Sequence, residues 1–77
     1  MKVLIAKVDE TFFDGEAESV TLPAVGGEMT VLASHMPLVT TLKEGTIVVR
    51  TKDAPDTTFP ITSGILEVRR DGATVIL

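Results

Sequence analysis

His35 is the only histidine in the chain, and with Ser34 beside it the sequence offers one place where a hydroxyl and a base stand together. Acyl transfer needs the hydroxyl within hydrogen-bond reach of an imidazole that a third group orients, and adjacency along the chain does not supply that geometry. Ser19 and Ser63 are no better placed by sequence, so His35 reads as a loop-structuring or interface residue. Glu10, Asp14, Glu16 and Glu18 form the densest acidic stretch. They lack the regular spacing and central glycine of a calcium loop, and alternating carboxylates mark the solvated face of a strand. Gly26-Gly27 has neither the further glycines nor the Lys-Ser/Thr pair of a phosphate loop, and reads as a turn supplying positive φ. Phe12, Phe13 and Phe59, the only aromatics, lack the basic neighbours of a base-stacking platform and are expected in the core or as staples. There is no cysteine for a disulfide or a thiolate metal site. The expectation is a chain without catalytic, cofactor or metal residues that works through protein contacts.

The elements that position these residues are short and extended. Seventy-seven residues hold one domain at most, because a chain of this size buries only about 60% of its unfolded surface. A single domain over residues 1–77 is expected. Apolar residues at 44% and charged residues at 23% exclude disorder by composition. The net charge is −4, with Lys2, Lys7, Lys43, Arg50, Lys52, Arg69 and Arg70 scattered among eleven acids, which argues against nucleic acid and anionic lipid as direct ligands. The opening Met1 to Glu10 turns polar too early for a signal peptide, and no apolar run approaches the roughly 20 residues of a membrane helix. No direct membrane insertion is expected, and any membrane association is expected to come through another protein.

Period-2 patterning recurs along the chain. Lys2 to Val8 predicts a first strand that ends at an Asp9-Glu10 turn, and Asp14-Gly15 carries a hairpin-turn signal. Strands follow over Ala17–Leu22, halting at Pro23, over Glu28–Leu32, Leu38–Leu42 and Thr46–Thr51, and over Thr58–Ile61, where Pro60 implies an edge or bulge. Ile65–Arg70 and Ala73–Leu77 flank Asp71-Gly72, the strongest hairpin signal present. Short strands with frequent turns and no helices predict an all-β fold, an antiparallel two-sheet sandwich or flattened barrel. Leu22, Val31, Leu32, Leu42, Val48, Leu66, Val68 and Val75 are the expected core. The chain stops at Leu77 in mid-strand, and the edge left there points to a truncation or a partner.

The run Val20-Thr21-Leu22-Pro23, Gly26-Gly27-Glu28-Met29, Val31-Leu32, His35-Met36-Pro37-Leu38-Val39-Thr40 and Leu42-Lys43 with Gly45 resembles the signature of the ε subunit of F-type ATP synthases. Phe13-Asp14-Gly15-Glu16 and Gly64-Ile65-Leu66-Glu67-Val68 extend the resemblance over the whole chain. Three positions depart from the family pattern. Ala33-Ser34 stands in place of Pro-Gly, Glu44 in place of a frequent proline, and Ser63 in place of the first of two glycines. The family's C-terminal pair of helices has no counterpart, consistent with an excised domain or a naturally short form. The inhibition and nucleotide binding those helices carry are not assigned.

The resemblance implies a β-sandwich of about ten strands in two sheets. It also implies a non-catalytic central-stalk subunit of a proton- or sodium-translocating ATP synthase, linking the γ subunit to the membrane ring of c subunits and transmitting torque for ATP synthesis. Carried over by position, Gly26, Gly27, Glu28, His35, Met36 and Pro37 would sit at one ring-facing end. Ile47, Val49, Ile61 and Ile65 are the expected γ-facing residues. The expected location is the cytoplasmic face of the bacterial inner membrane, or its organellar equivalent, peripheral through the complex. The alternative is a stand-alone β-sandwich that binds a protein or peptide at an open sheet edge.

Overall fold

Alternating apolar and polar residues along short segments leave each segment one face to bury, and the chain resolves this with strands alone. In the computed structural model, which describes residues 1–77, nine strands follow one another: β1 Lys2–Lys7, β2 Glu10–Glu16, β3 Ser19–Ala24, β4 Gly27–Leu32, β5 Leu38–Leu42, β6 Gly45–Arg50, β7 Thr57–Ile61, β8 Gly64–Arg69 and β9 Gly72–Ile76. They hydrogen-bond in the order β2-β1-β9-β8-β5-β3-β6-β7, with β4 on the other side of β3. β3 meets β5 through the single pair Ala24 and Leu42, where the sheet turns over on itself. One layer is thus β2-β1-β9-β8-β5 and the other β4-β3-β6-β7.

All pairings are antiparallel except β1 with β9, which join chain-distant strands and so need no crossover helix between them. Gly72 permits that pairing, since a Cβ there would lie 2.1 Å from the Lys2 carbonyl oxygen. The outermost strands β2 and β7 also approach each other. Phe12 and Phe59 pack edge to face with centroids 6.1 Å apart. The register of β1 against β2 skips Phe12, because Ile5 faces Phe13 and Ala6 faces Thr11. An extra residue in a strand bends it and re-aims a side chain, and here it turns Phe12 toward the seam.

The core is a cluster of 15 buried residues drawn from both layers, including Ile5, Leu22, Leu42, Ile47, Leu66 and Val75. Leu22, Val31, Leu42, Leu66, Val68 and Val75 lie in it as the sequence predicts. Leu32 does not, being 56% exposed, and Val48 is only partly buried. Glu28 and Thr30 set the outward face of β4 and carry Leu32 with them, while Thr46 and Arg50 do the same for Val48 on β6. Asp14-Gly15 is not a turn but part of β2, and β3 runs through Pro23 to Ala24. Pro60 lies on β7, which pairs only with β6, as an edge position requires.

The register assigns every turn to one of two ends. β4 runs from Gly27, opposite Ala24, to Leu32, opposite Ser19. Gly45, Ile61, Gly64, Leu42 and Ile76 follow at the Gly27 level through their pairings, so residues 8–9, 25–26, 43–44 and 62–63 share that end. Residues 17–18, 33–37, 51–56 and 70–71 share the other.

Candidate functional site

Gly26, Gly27 and Glu28 form the reversal between β3 and β4. Gly27 has φ +132°, a conformation that disfavours side chains, and nothing lies within 4 Å of where its Cβ would be. The turn is therefore shaped by backbone geometry and leaves open space above it. Glu28 points outward beside Pro23 and forms no ion pair or side-chain hydrogen bond within the chain. Its carboxylate is free to accept from a partner's donors.

His35, Met36 and Pro37 lie at the opposite end. β4 rises about 3.3 Å per residue, so the six residues from Gly27 to Leu32 separate the two groups by about 16 Å along the strand. The expectation of one end carrying both groups is corrected here, because a strand with a turn at its start must place the following loop at its far end. The His35 amide donates to the Leu32 carbonyl at 2.9 Å, closing a turn. Its Nδ1 lies 2.8 Å from the Met36 carbonyl oxygen. A carbonyl can only accept, so Nδ1 carries a proton and Nε2 is left free for a partner. Ser34 makes no hydrogen bond to the ring, and no nucleophile–base pair forms. Met36 is 78% exposed.

Ile47, Val49 and Ile61 are buried in the core and offer no surface to a partner, a second correction. The cause is strand phase: Ile47 and Val49 alternate with outward-facing Thr46, Val48 and Arg50. Ile65 is half-exposed on β8. It pairs with Ile76 on β9, and that residue with Ala6 on β1, while Val39 faces Glu67 one row away. Val39, Ile65 and Ile76 are each at least half-exposed, so the outer face of the β5-β8-β9 layer carries a shared apolar patch. Val39 and Ile76 escaped the sequence reading, although their alternation with Leu38, Leu42 and Val75 places them outward.

All four ion pairs lie toward the His35 end. The Met1 ammonium meets Glu16 at 3.4 Å, Arg50 meets Asp56 at 3.5 Å, and Arg69 meets Glu67 at 2.8 Å and Asp71 at 3.5 Å. Arg50 also donates to Thr21 Oγ1 at 3.3 Å, which itself bonds Thr30 Oγ1 at 2.9 Å. No group of three or more His, Cys, Asp or Glu side chains is placed to hold a metal ion, and no helix is long and apolar enough to cross a membrane. What the surface provides is one apolar sheet face and, at its two ends, exposed turns with free hydrogen-bonding groups, the equipment of a contact module.

Comparison with known proteins gives the same picture. A family profile described as the ATP synthase delta/epsilon chain β-sandwich domain matches residues 1–77. The ATP synthase epsilon chain of Herminiimonas arsenicoxydans is 36% identical over 77 residues, covering 99% of this chain and 55% of that one. The epsilon chain of Janthinobacterium sp. (strain Marseille) is 38% identical with the same coverage. The chain thus spans about half the length of the curated relatives it matches. Among solved structures, a chain of the Euglena gracilis mitochondrial ATP synthase, in an OSCP/F1/c-ring assembly, superposes with TM-score 0.87 at 25% identity. That match covers 96% of this chain and 48% of the other. A chain of the Tetrahymena thermophila mitochondrial ATP synthase central stalk and c-ring superposes with TM-score 0.81 over 97% of this chain and 60% of that one. At 13% identity it shares the fold alone.

Proposed function

The chain belongs to the ATP synthase delta/epsilon chain β-sandwich family, and on that premise we propose that it is a non-catalytic component of the rotor's central stalk, joining a γ subunit to the membrane ring. The observation that carries this reading is the apolar patch of Val39, Ile65 and Ile76, three side chains at least half-exposed on one sheet face between the two turn ends. An apolar face of this kind is what a stalk partner would cover, while a polar turn end would rest on polar loops of a ring.

The γ-facing surface is proposed as the outer face of β5, β8 and β9, keeping Ile65 and replacing the three buried residues. Met36 and the free Nε2 of His35 border the start of β5, so the His35 loop extends that face rather than the ring contact. The ring-facing surface is the Gly26–Glu28 turn. Torque would pass through a two-layer sheet whose interior is close-packed and deforms little. The chain would then be peripheral to the membrane, through the complex, on the cytoplasmic face or its organellar equivalent.

A second reading has one observation in its favour: β4 pairs only with β3 and has neither proline nor bulge to blunt its outer edge, so an extended peptide could add there. Co-purification separates the two. The stalk reading expects the chain to be retained by γ and, with γ, by the detergent-solubilised ring from the same source. Retention by neither, with all components folded, would overturn it.

A further inference from the structure

The outer side of β4 pairs with no other strand. The end strands β2 and β7 are closed off differently, since Phe12 packs on Phe59 and Pro60 takes a donor from β7. β4 carries no proline, bulge or lysine to keep its edge from pairing, and its one charge, Glu28, stands near its start. Its side chains alternate across the sheet. Glu28, Thr30 and Leu32 are exposed on the outer face, while Val31 is buried and Met29 packs against the core.

Which backbone groups this edge offers follows from the contacts of Pro23 and Leu32. The Lys43 amide donates to the Pro23 carbonyl at 2.8 Å, and proline has no N–H, so Pro23 turns no hydrogen bond toward β4. Glu28 is its register partner, and the N–H and C=O of Glu28 therefore point out from the sheet edge. Alternation along the strand sends those of Thr30 and Leu32 the same way. The Leu32 carbonyl accepts from the His35 amide at 2.9 Å, outside the ladder, as this phase requires. The N–H groups of Glu28, Thr30 and Leu32 and the C=O groups of Glu28 and Thr30 are left for a partner.

We propose that β4 pairs with the β4 of a second copy of this chain, antiparallel, about a two-fold axis through Thr30. In that register the edge is its own complement. Each Thr30 N–H donates to the other copy's Thr30 carbonyl, and each Leu32 N–H to the other copy's Glu28 carbonyl. On the outer face the exposed Leu32 lies against the aliphatic stem of the second copy's Glu28. On the inner face Met29, only partly buried in one copy, comes beside the second copy's Val31. The two Glu28 carboxylates stand about 13 Å apart along the strands, at about 3.3 Å per residue, beyond the roughly 8 Å screening length of physiological salt. An axis at Glu28 would set these carboxylates face to face, and one at Met29 would bring them to a diagonal contact and leave Leu32 unpaired. An axis at Val31 would need the Leu32 carbonyl that the His35 amide already holds. Charge and hydrogen-bond phase thus select the chain itself among the extended partners this edge admits. The pairing leaves the β5-β8-β9 face open and rests on neither the γ nor the ring contact.

Sedimentation equilibrium of this chain alone, over a concentration series, tests the pairing. The parent should pass from monomer to dimer mass as concentration rises. Leu32 is 56% exposed, so substitutions there should leave the thermal midpoint unchanged. Leu32→Glu sets like charges opposite each other at both ends of the pairing and should raise the dimer Kd about tenfold, because the two-fold axis doubles each cross-strand effect. Leu32→Lys sets opposite charges at the same places and should lower the Kd. A parent that stays monomeric up to its solubility limit would overturn the proposal and leave the edge to an extended peptide of another protein. A dimer whose Kd is the same in the parent and both Leu32 variants would also overturn it, by placing the contact elsewhere on the chain.

Discussion

Ile47 and Ile65 are the same residue type on neighbouring parts of one domain, and the structure gives them opposite duties. Ile47 is 0% exposed and packs between the layers, whereas Ile65 is 51% exposed on the outer face. Truncating a fully buried isoleucine to alanine costs about 2–5 kcal/mol, transfer and cavity combined. A chain of 77 residues has about 4–12 kcal/mol of stability in all, at about 0.05–0.15 kcal/mol per residue. Ile47→Ala therefore removes a large fraction of it. With each kcal/mol moving the midpoint about 4–8 °C in a domain this small, a drop of at least about 8 °C is expected. Ile65→Ala loses side-chain area that is only half removed from water, so under about 1 kcal/mol is expected from the isolated domain. Binding should show the reverse order. Ile65→Ala should weaken γ binding by losing apolar contact, and Ile47→Ala, studied below its midpoint, should bind normally. Thermal unfolding followed by circular dichroism, with calorimetric titration against γ, measures both. Equal midpoint losses for the two variants, or normal γ binding by Ile65→Ala, would refute the assignment of core and contact faces.

Other expectations follow from single contacts. Gly72→Ala puts a methyl group where the Lys2 carbonyl oxygen is, which must push β1 away from β9, and a loss of about 1–3 kcal/mol in urea unfolding is expected. Gly27→Ala meets no atom but must hold φ near +132°, so a cost of about 1–3 kcal/mol should appear with no change in γ binding. Glu28→Gln should leave unfolding within about 0.5 kcal/mol of the parent while weakening ring retention, since its carboxylate has no partner inside the domain. Phe12 and Phe59 should couple by about 0.5–1.5 kcal/mol in a double-mutant cycle, because their edge-to-face contact closes the seam between β2 and β7.

Much of this architecture is written in alternation. The strands, the edge position of Pro60 and the hairpin at Asp71-Gly72 follow from local rules because neighbouring residues suffice to state them. Phase was harder. In Ile47-Val48-Val49 every residue is apolar, and only the flanking Thr46 and Arg50 reveal which face turns inward; Glu28 and Thr30 would likewise have placed Leu32 outside. β2 hid behind Asp14-Gly15, which carries turn chemistry yet pairs along β1, and behind a bulge at Phe12 that breaks its alternation. The contact surfaces were least legible. Residues close in sequence, such as Glu28 and His35, are held apart by the strand between them, whereas Val8 and Glu44 reach one end only through the pairing of distant strands.

The central claim is a stalk contact through an apolar face, and calorimetric titration of this chain into its γ subunit at several temperatures tests it most directly. Tight binding with a negative heat-capacity change, abolished in Ile65→Ser, is the predicted result. Absence of binding between folded partners, or binding whose heat capacity is unchanged and which survives Ile65→Ser, would contradict it.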